Sequence, residues 1–191
     1  PFARRGKQVL MESLIAHGVE HVFGNPGTTE SPILDALLDY PQLRYVVALH
    51  EGVALGAASY YAQTSGRPAV VNIHVAPGLG NAMGSLYSAK FFGSPLLITA
   101  GQQEQGHGLM EPLLYDTLVP IAQPMVKWAI EVTRFQDLPR IVRRAAHHVA
   151  VRIAERLRAL AHACNQVGRE LAGREIDDFF QFDFYPGRLF N

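Results

Sequence analysis

Two side chains that can move protons follow apolar runs in this sequence. Glu51 closes the segment 44–51, which contains five consecutive apolar residues, and His74 directly follows segment 69–73, which is apolar except for Asn72. Continuous apolar runs of this length predict parallel strands buried on both faces. A carboxyl and an imidazole at the ends of two such strands would share the sheet edge at which open α/β folds bind ligands. Both residues are therefore candidates for acid–base chemistry.

Each candidate also has a structural interpretation, and both interpretations stay open at this point. Glu51 precedes a segment of small residues, 52–63, that is predicted to be helical, so its carboxylate could simply favour the helix dipole. His74 could be a hydrogen-bonded structural residue, although an imidazole can donate or accept a proton near neutral pH. Thr28 follows the turn 24–27 and could cap the next helix or place a hydroxyl on the same rim.

Other potential sites have less support from the residues. Segment 75–81 is glycine-rich and is predicted to be a loop, but it matches neither the P-loop nor the dinucleotide-binding glycine pattern. We interpret its glycines as allowing close approach to a ring or to a neighbouring chain. His50 is interpreted as structural, because its side chain should point to the opposite strand face from Glu51. No metal site is predicted, because the histidines lack partners at metal-ligand spacing, and Cys164 lies on an amphipathic face rather than in a nucleophile motif.

The composition indicates which classes of partner and which cellular compartment the sequence favours. Lys and Arg number 17 and so do Asp and Glu, so the formal net charge of zero gives no support for a nucleic-acid partner or a membrane surface. The single cysteine excludes an internal disulfide, and no apolar run reaches membrane-spanning length. These features predict a cytoplasmic protein.

Strand and helix patterns alternate along the first 150 residues. Apolar segments predict strands at 19–23, 45–49, 69–74, 96–100 and 126–130. Such alternation predicts an α/β fold with three α/β/α layers and a mainly parallel sheet of about six strands. From residue 153 to residue 171, apolar positions spaced by three and four predict an amphipathic helical extension. We therefore predict one domain over 1–150 and a helical and aromatic tail over 151–191, whose segment 176–186 mixes acids and aromatics.

Several motifs in order resemble the pyrimidine-binding domain of thiamine diphosphate-dependent enzymes. They are Gly-Asn-Pro-Gly-Thr-Thr-Glu at 24–30, His-Glu-Gly at 50–52, the small-residue helix at 56–63, and Asn-Ile-His-Val-Ala-Pro-Gly-Leu-Gly-Asn-Ala-Met-Gly at 72–84. The turn at 24–27, His74, and segments 99–103 and 126–128 resemble the benzoylformate decarboxylase branch in particular. The resemblance extends over about residues 7–149.

The resemblance implies roles for individual residues. Glu51 would bond the ring nitrogen N1′ of the cofactor's aminopyrimidine, and His74 would move protons on the substrate adduct. Thr28 stands where benzoylformate decarboxylase has serine, which implies contact with the substrate carboxylate. The implied cofactor-binding set is Pro26, Gly27, Glu51, His74 and Asn81. The implied activity is that of a carboxy-lyase, the non-oxidative decarboxylation of a small 2-oxo acid.

The resemblance also implies a partner. In this family a separate domain with a Gly-Asp-Gly motif holds the diphosphate and magnesium, and this sequence contains no Gly-Asp-Gly. The chain is thus expected to be a fragment, a truncated product or one subunit of a split enzyme, completed in a homo-oligomer or by a separate diphosphate-binding chain. The alternative is a non-catalytic interaction or regulatory domain that retains the fold. Thr28, Glu51 and His74 favour the enzyme, whereas the missing magnesium motif favours the alternative.

Overall fold

The computed structural model describes the backbone of residues 4–172, and the side chains of that range except 156 and 167–172. The chain divides into two compact units, Pro1–Glu155 and Arg156–Asn191. The first unit contains the sheet and both hydrophobic cores. The second is described only through the last turns of a long helix. The acidic-aromatic segment 176–186 lies outside the described residues.

The first unit is built on a parallel sheet of four strands in the order β2-β1-β3-β4. The strands are β1 (His21–Gly24), β2 (Arg44–Val47), β3 (Ala69–Ile73) and β4 (Leu96–Ala100). The helices are α1 (Gly6–Ala16), α2 (Ser31–Ala36), α3 (Glu51–Ser65), α4 (Val75–Phe92), α5 (Leu118–Ala122) and α6 (Leu138–Ala172). Short 3-10 helices lie at Thr28–Glu30, Leu37–Asp39, His107–Met110, Gln123–Met125 and Phe135–Asp137.

The expected three-layer α/β fold is confirmed, because a separate hydrophobic core lies on each face of the sheet. One core joins the sheet to α3 and α4, and its fully buried members include Leu55, Ala58, Val71, Ile73 and Ala82. The other joins the sheet to α1, α2 and the first part of α6 through Met11, Val22, Ala36, Val70 and Val142. Because α3 carries alanines on its inner face, it can approach α4 closely and bring the first residues of both helices together.

The sequence predicted about six strands, but the described residues contain four. Segment 126–130, predicted as the fifth, is irregular chain that pairs with no strand of the sheet. Its residues Val126 and Ile130 are apolar, but neither is fully buried. An apolar run predicts burial or strand propensity, but a strand also needs a neighbour with free hydrogen-bonding groups.

β2 is an edge strand, so the expectation that it is buried on both faces was wrong. Its residue Val47 is 63% exposed, and Leu49 just after it is 94% exposed. β3 has the same kind of apolar sequence but lies between two neighbours and is buried along its whole length. The difference lies in position within the sheet, which periodicity along the chain does not specify.

Segment 75–81 was predicted to be a loop and is instead the start of α4. The helix begins at Val75, and Pro77 is tolerated there because the first turn needs no backbone N–H partner. The helix ends at Phe92, and the next residue, Gly93, has a φ of 64°, the left-handed conformation common after helices. Within residues 4–172, no helix is both long enough and apolar enough to cross a membrane.

Candidate functional site

The candidate residues gather at the carboxyl edge of the sheet. β1 and β3 are neighbours in parallel register, with Gly24 opposite Asn72, so the segments that follow them emerge side by side. The turn at 25–27 follows β1, and His74 follows β3. α3 begins with Glu51 a few residues after β2. The structure thus places the predicted acid and the predicted imidazole at the ends of strands of one sheet edge.

The carboxyl of Glu51 is held by two side-chain amides. Asn25 donates through Nδ2 to Oε1 over 3.3 Å, and Asn81 donates through Nδ2 to Oε2 over 3.0 Å. Glu51 is only 4% exposed, while Asn81 is an exposed residue of α4 that reaches back to it. Both partners are neutral, so they orient the carboxyl without placing a compensating charge beside it.

Gly78 explains why α4 can pass so close to this carboxyl. A Cβ on Gly78 would lie 3.1 Å from Oε1 of Glu51 and 3.0 Å from Cγ2 of Ile73. Both contacts are tighter than ordinary van der Waals packing, so a larger residue would push against the acid. The glycine-rich segment was expected to allow close approach to a ring or another chain. In the structure, the group that approaches Gly78 is the chain's own Glu51.

His74 occupies the position before the first turn of α4, and its ring is hydrogen-bonded. Its Nδ1 lies 2.7 Å from Oε2 of Glu30 and 3.0 Å from Oγ1 of Thr29. The side chain of His74 remains 22% exposed. Both interpretations of this histidine are therefore compatible with the structure, since one ring nitrogen is used structurally and the ring is still accessible.

The backbone next to His74 is strained. Val75 has a φ of 43° and is fully buried. A β-branched residue in the left-handed region is an outlier that costs roughly 1–3 kcal/mol, and such outliers concentrate at functional sites. The strained residue directly follows His74 and begins the helix that carries Gly78 and Asn81.

Glu30 is a site residue that the sequence reasoning missed. It is 0% exposed and accepts hydrogen bonds from the backbone N–H of Gly27 over 2.9 Å and from Oγ1 of Thr29 over 2.6 Å. The spacing of Gly27 and Glu30 is that of a helix capping box, in which an acid at the third position bonds back to the cap N–H. That spacing, next to the turn already singled out, was the available signal.

The other predicted residues of the turn have different surroundings. Gly27 occupies the cap position of the 3-10 helix Thr28–Glu30, so the expectation that Thr28 caps the following helix was wrong. Thr28 is exposed, and its hydroxyl makes no hydrogen bond to the described residues. Pro26 and Gly27 are half-buried beside it, and a Cβ on Gly27 would overlap the His74 ring. His50, taken as structural, accepts the N–H of Gly52 through Nδ1 over 3.0 Å and caps α3.

Three polar side chains, of which Asn72 is buried, form a hydrogen-bonded chain between β2, β3 and β4. The hydroxyl of Tyr45 donates to Oδ1 of Asn72 over 3.1 Å, and Nδ2 of Asn72 donates to Oγ1 of Thr99 over 3.1 Å. Burial raises the pKa of the Tyr45 hydroxyl well above its ordinary value of 10.0, and the nearby Glu30 carboxylate raises it further. Tyr45 thus stays neutral and able to donate.

Within residues 4–172, no group of three or more His, Cys, Asp or Glu side chains is arranged to hold a metal ion. The polar groups at the sheet edge are one acid held by amides and one acid paired with an imidazole.

Residues 4–114, more than half of the chain, match the protein-family model of the thiamine pyrophosphate enzymes' N-terminal TPP binding domain. Benzoylformate decarboxylase from Pseudomonas aeruginosa is 45% identical over 136 residues, 70% of this chain and 25% of that protein. The acetolactate synthase large subunit of Lactococcus lactis is 31% identical over 140 residues, 73% of this chain and 24% of that protein.

A solved structure supports the same relationship. The thiamine diphosphate-dependent 4-hydroxybenzoylformate decarboxylase of Rhodococcus jostii superposes with a TM-score of 0.71 at 40% identity, over 75% of this chain and 27% of that one. The chain thus spans about a quarter of the length of the relatives it matches. Thiamine pyrophosphate and thiamine diphosphate are the same compound. From the matched domain and the shared fold, we conclude that this chain belongs to the thiamine pyrophosphate enzyme family, of which it contains the N-terminal TPP binding domain.

Proposed function

We propose that the chain is the aminopyrimidine-binding half of a thiamine diphosphate-dependent, non-oxidative 2-oxo acid decarboxylase. The observation that carries this proposal is the Glu51 carboxyl, which is 4% exposed and held at the sheet edge by two neutral amides. An acid in such a position can keep or release a proton according to the group it meets. A carboxylate can accept about four hydrogen bonds, so the amides leave capacity for a further donor.

The residues present fit the cofactor's pyrimidine ring. Glu51 would bind a ring nitrogen and hold the proton shared with it. Gly27 and Asn81 would line the ring, because they bond to Glu30 and Glu51 respectively, and Pro26 would join them because it directly precedes Gly27. When bound, thiamine diphosphate supplies the carbon nucleophile and the electron sink that decarboxylation requires. Gly78 supports this assignment, since its missing side chain leaves the acid undisturbed.

Two further residues would act on the substrate. His74 remains partly accessible and would exchange protons with the reacting group, since an imidazole can donate or accept a proton near neutral pH. Thr28 presents a hydroxyl with no described hydrogen-bond partner and would bind the substrate carboxylate. The names of two relatives, a benzoylformate and a 4-hydroxybenzoylformate decarboxylase, favour an aryl 2-oxo acid as the substrate.

The diphosphate and magnesium would be held by a domain other than the one described here. Nothing in residues 4–172 is arranged to bind a metal, and the sequence has no Gly-Asp-Gly motif. We propose that a diphosphate-binding domain outside these 191 residues, in an oligomer of the same protein or in a separate chain, completes the site. The exposed apolar residues Val47 and Leu49, just before Glu51, favour a protein partner at this edge over open solvent.

A chimera tests the proposal. Residues 1–150 of this chain would replace the matching segment of the Pseudomonas aeruginosa benzoylformate decarboxylase, and carbon dioxide release would be followed with a panel of aryl and alkyl 2-oxo acids. We expect turnover that depends on added thiamine diphosphate and magnesium, unaffected by the control change Glu104→Gln at an exposed loop residue. A chimera that assembles and binds the cofactor but decarboxylates no 2-oxo acid would contradict the proposal and favour a non-catalytic interaction domain.

A further inference from the structure

We infer that Glu30 is a positioning residue that fixes the tautomer of His74, so that the Nε2 side of the ring is the side available for proton exchange. The inference rests on the proposed function for what Nε2 does, but the tautomer itself is a property of this chain. It is supported by a buried hydrogen-bond network between two segments that are 44 residues apart in the sequence.

The network assigns Glu30 as an ionised acceptor. Three groups converge on its carboxyl: the Gly27 N–H donates to Oε2, the Thr29 hydroxyl donates to Oε1, and Nδ1 of His74 lies 2.7 Å from Oε2. An ionised carboxylate has only acceptor sites and satisfies all three, whereas a protonated one would present a donor where donors already point. Since Glu30 is 0% exposed, water is not available to replace a lost partner.

The position of the carboxylate dictates which ring nitrogen carries the proton. Nδ1 of His74 lies 2.7 Å from Oε2 of Glu30, so in the neutral ring the proton belongs on Nδ1. The Thr29 hydroxyl is already donating to Glu30, so at 3.0 Å its oxygen can only share the Nδ1 proton. Nε2 then bears a lone pair, and no hydrogen bond joins it to another group within residues 4–172.

The geometry leaves the ring little freedom to turn away. A Cβ on Gly27 would overlap Cε1, Nδ1 and Cδ2 of His74, so the imidazole lies directly against that glycine. On the other side of the network, a Cβ on Gly101 would overlap Oε1 of Glu30 and Oγ1 of Thr29. Two glycines thus allow the imidazole and the carboxylate to approach, and the close packing holds both in place.

Nitrogen-15 NMR of the histidine side chains in the 191-residue chain, without cofactor and at about pH 8, tests the inference. Replacement of His74 by Asn assigns its signals among the 8 histidines. We expect wild-type His74 to carry its proton on Nδ1. In Glu30→Gln the charged acceptor is lost, and the ratio of Nδ1–H to Nε2–H should fall about tenfold or more.

Matched variants separate positioning from general structural support. Glu30→Asp keeps the charge, so the fraction of His74 in the Nδ1–H form should lie between the values for wild type and Glu30→Gln. Thr29→Val should leave His74 in the Nδ1–H form, because Glu30 is the acceptor that sets the tautomer. Glu104→Gln, at an exposed loop residue, should leave the His74 signals unchanged. If Glu30→Gln does not fold, the tautomer of His74 in the wild-type chain still tests the inference. Wild-type His74 with its proton on Nε2, or an unchanged tautomer in folded Glu30→Gln, would overturn the inference.

The same measurements distinguish this inference from the proposed function. If the chimera is inactive as a decarboxylase but His74 in this chain carries its proton on Nδ1, the proposed function is contradicted and the inference about Glu30 and His74 stands. An active chimera, together with a His74 in this chain that carries its proton on Nε2, would support the proposed function and overturn the inference about Glu30. If both hold, Glu30→Gln in the chimera should lower kcat at least about tenfold while KM changes little, because the substrate contacts remain.

Discussion

The side-chain amide of Asn81 lies 3.0 Å from Oε2 of Glu51, and this contact joins the second turn of α4 to the first residue of α3. Asn81 is exposed, whereas Glu51 is buried. The acid is thus positioned by the meeting of two helices at the sheet edge. Because α3 and α4 pack against each other along their length, the position of the acid depends on the glycines and alanines that let them approach.

Replacing Gly78 with Ala tests this dependence. The new Cβ would press on Ile73, which is fully buried, and on Glu51, whose two oxygens are both hydrogen-bonded. We expect Gly78→Ala to lower the free energy of unfolding by about 1 kcal/mol. Urea unfolding followed by circular dichroism measures this change. Gly80→Ala is the matched control, because nothing lies within 4 Å of its added Cβ, and the alanine should raise the free energy of unfolding by up to about 1 kcal/mol. Equal stabilisation by both changes would show that α4 does not press on Glu51.

Replacing His74 with Ala in the chimera should separate chemistry from binding. His74 is proposed to move protons and makes its hydrogen bonds to Glu30 and Thr29 rather than to Glu51. We expect kcat to fall by about 100-fold or more, as for loss of a general acid–base group. The Kd for thiamine diphosphate should rise by a much smaller factor than kcat falls, because Glu51 and the two amides that hold it are untouched. Steady-state kinetics and calorimetry on one preparation give both values. A variant that loses cofactor binding in proportion to kcat would assign His74 to the binding site instead.

The carboxyl-edge placement of Glu51 and His74 could be predicted from the sequence, because it follows from local rules. An apolar run that ends in a polar residue predicts where a strand ends, and the parallel strands of alternating α/β sequences all end at one edge. The same rules failed for β2. These rules predict the same burial for β2 as for β3, since both segments are largely apolar. The strand order β2-β1-β3-β4, however, leaves β2 with only one neighbouring strand.

Two parts of the site depend on contacts between distant segments and were not predicted. Glu30 contacts His74 across 44 residues, and no local pattern around Glu30 indicates an imidazole partner. Segment 75–81 resembles a loop because glycine and proline disfavour helices, yet it begins α4. Packing of Gly78 against Ile73 and Glu51 outweighs that intrinsic preference, as tertiary contacts commonly do.

Stability at high pH should depend on Tyr45. Its folded-state pKa is raised above the ordinary value of 10.0, so the unfolded chain ionises first. The contribution of Tyr45 to stability is therefore complete below about pH 10 and is lost as the pH rises through the folded-state pKa. At pH 8, Tyr45→Phe should be less stable by about 1 kcal/mol, because the hydrogen bond to Asn72 is lost. Above pH 10 that difference should shrink.

Urea unfolding at pH 8 and above pH 10 measures the effect of Tyr45. Tyr60→Phe is the control, because Tyr60 is 71% exposed and its ionisation should not be linked to folding. A gap between wild type and Tyr45→Phe that stays constant or widens above pH 10 would show that the Tyr45 hydroxyl ionises at least as readily in the folded chain as in the unfolded one.

Calorimetry of thiamine diphosphate binding to the chimera, with magnesium, tests the role of Glu51 most directly. Glu51→Gln keeps the size of the side chain and removes the charge and the proton it would share with the ring nitrogen. Loss of a charge-assisted hydrogen bond should raise the Kd about 10- to 100-fold, with the thermal unfolding midpoint nearly unchanged. Equal Kd values for wild type and Glu51→Gln would contradict the claim that this buried carboxyl binds the cofactor.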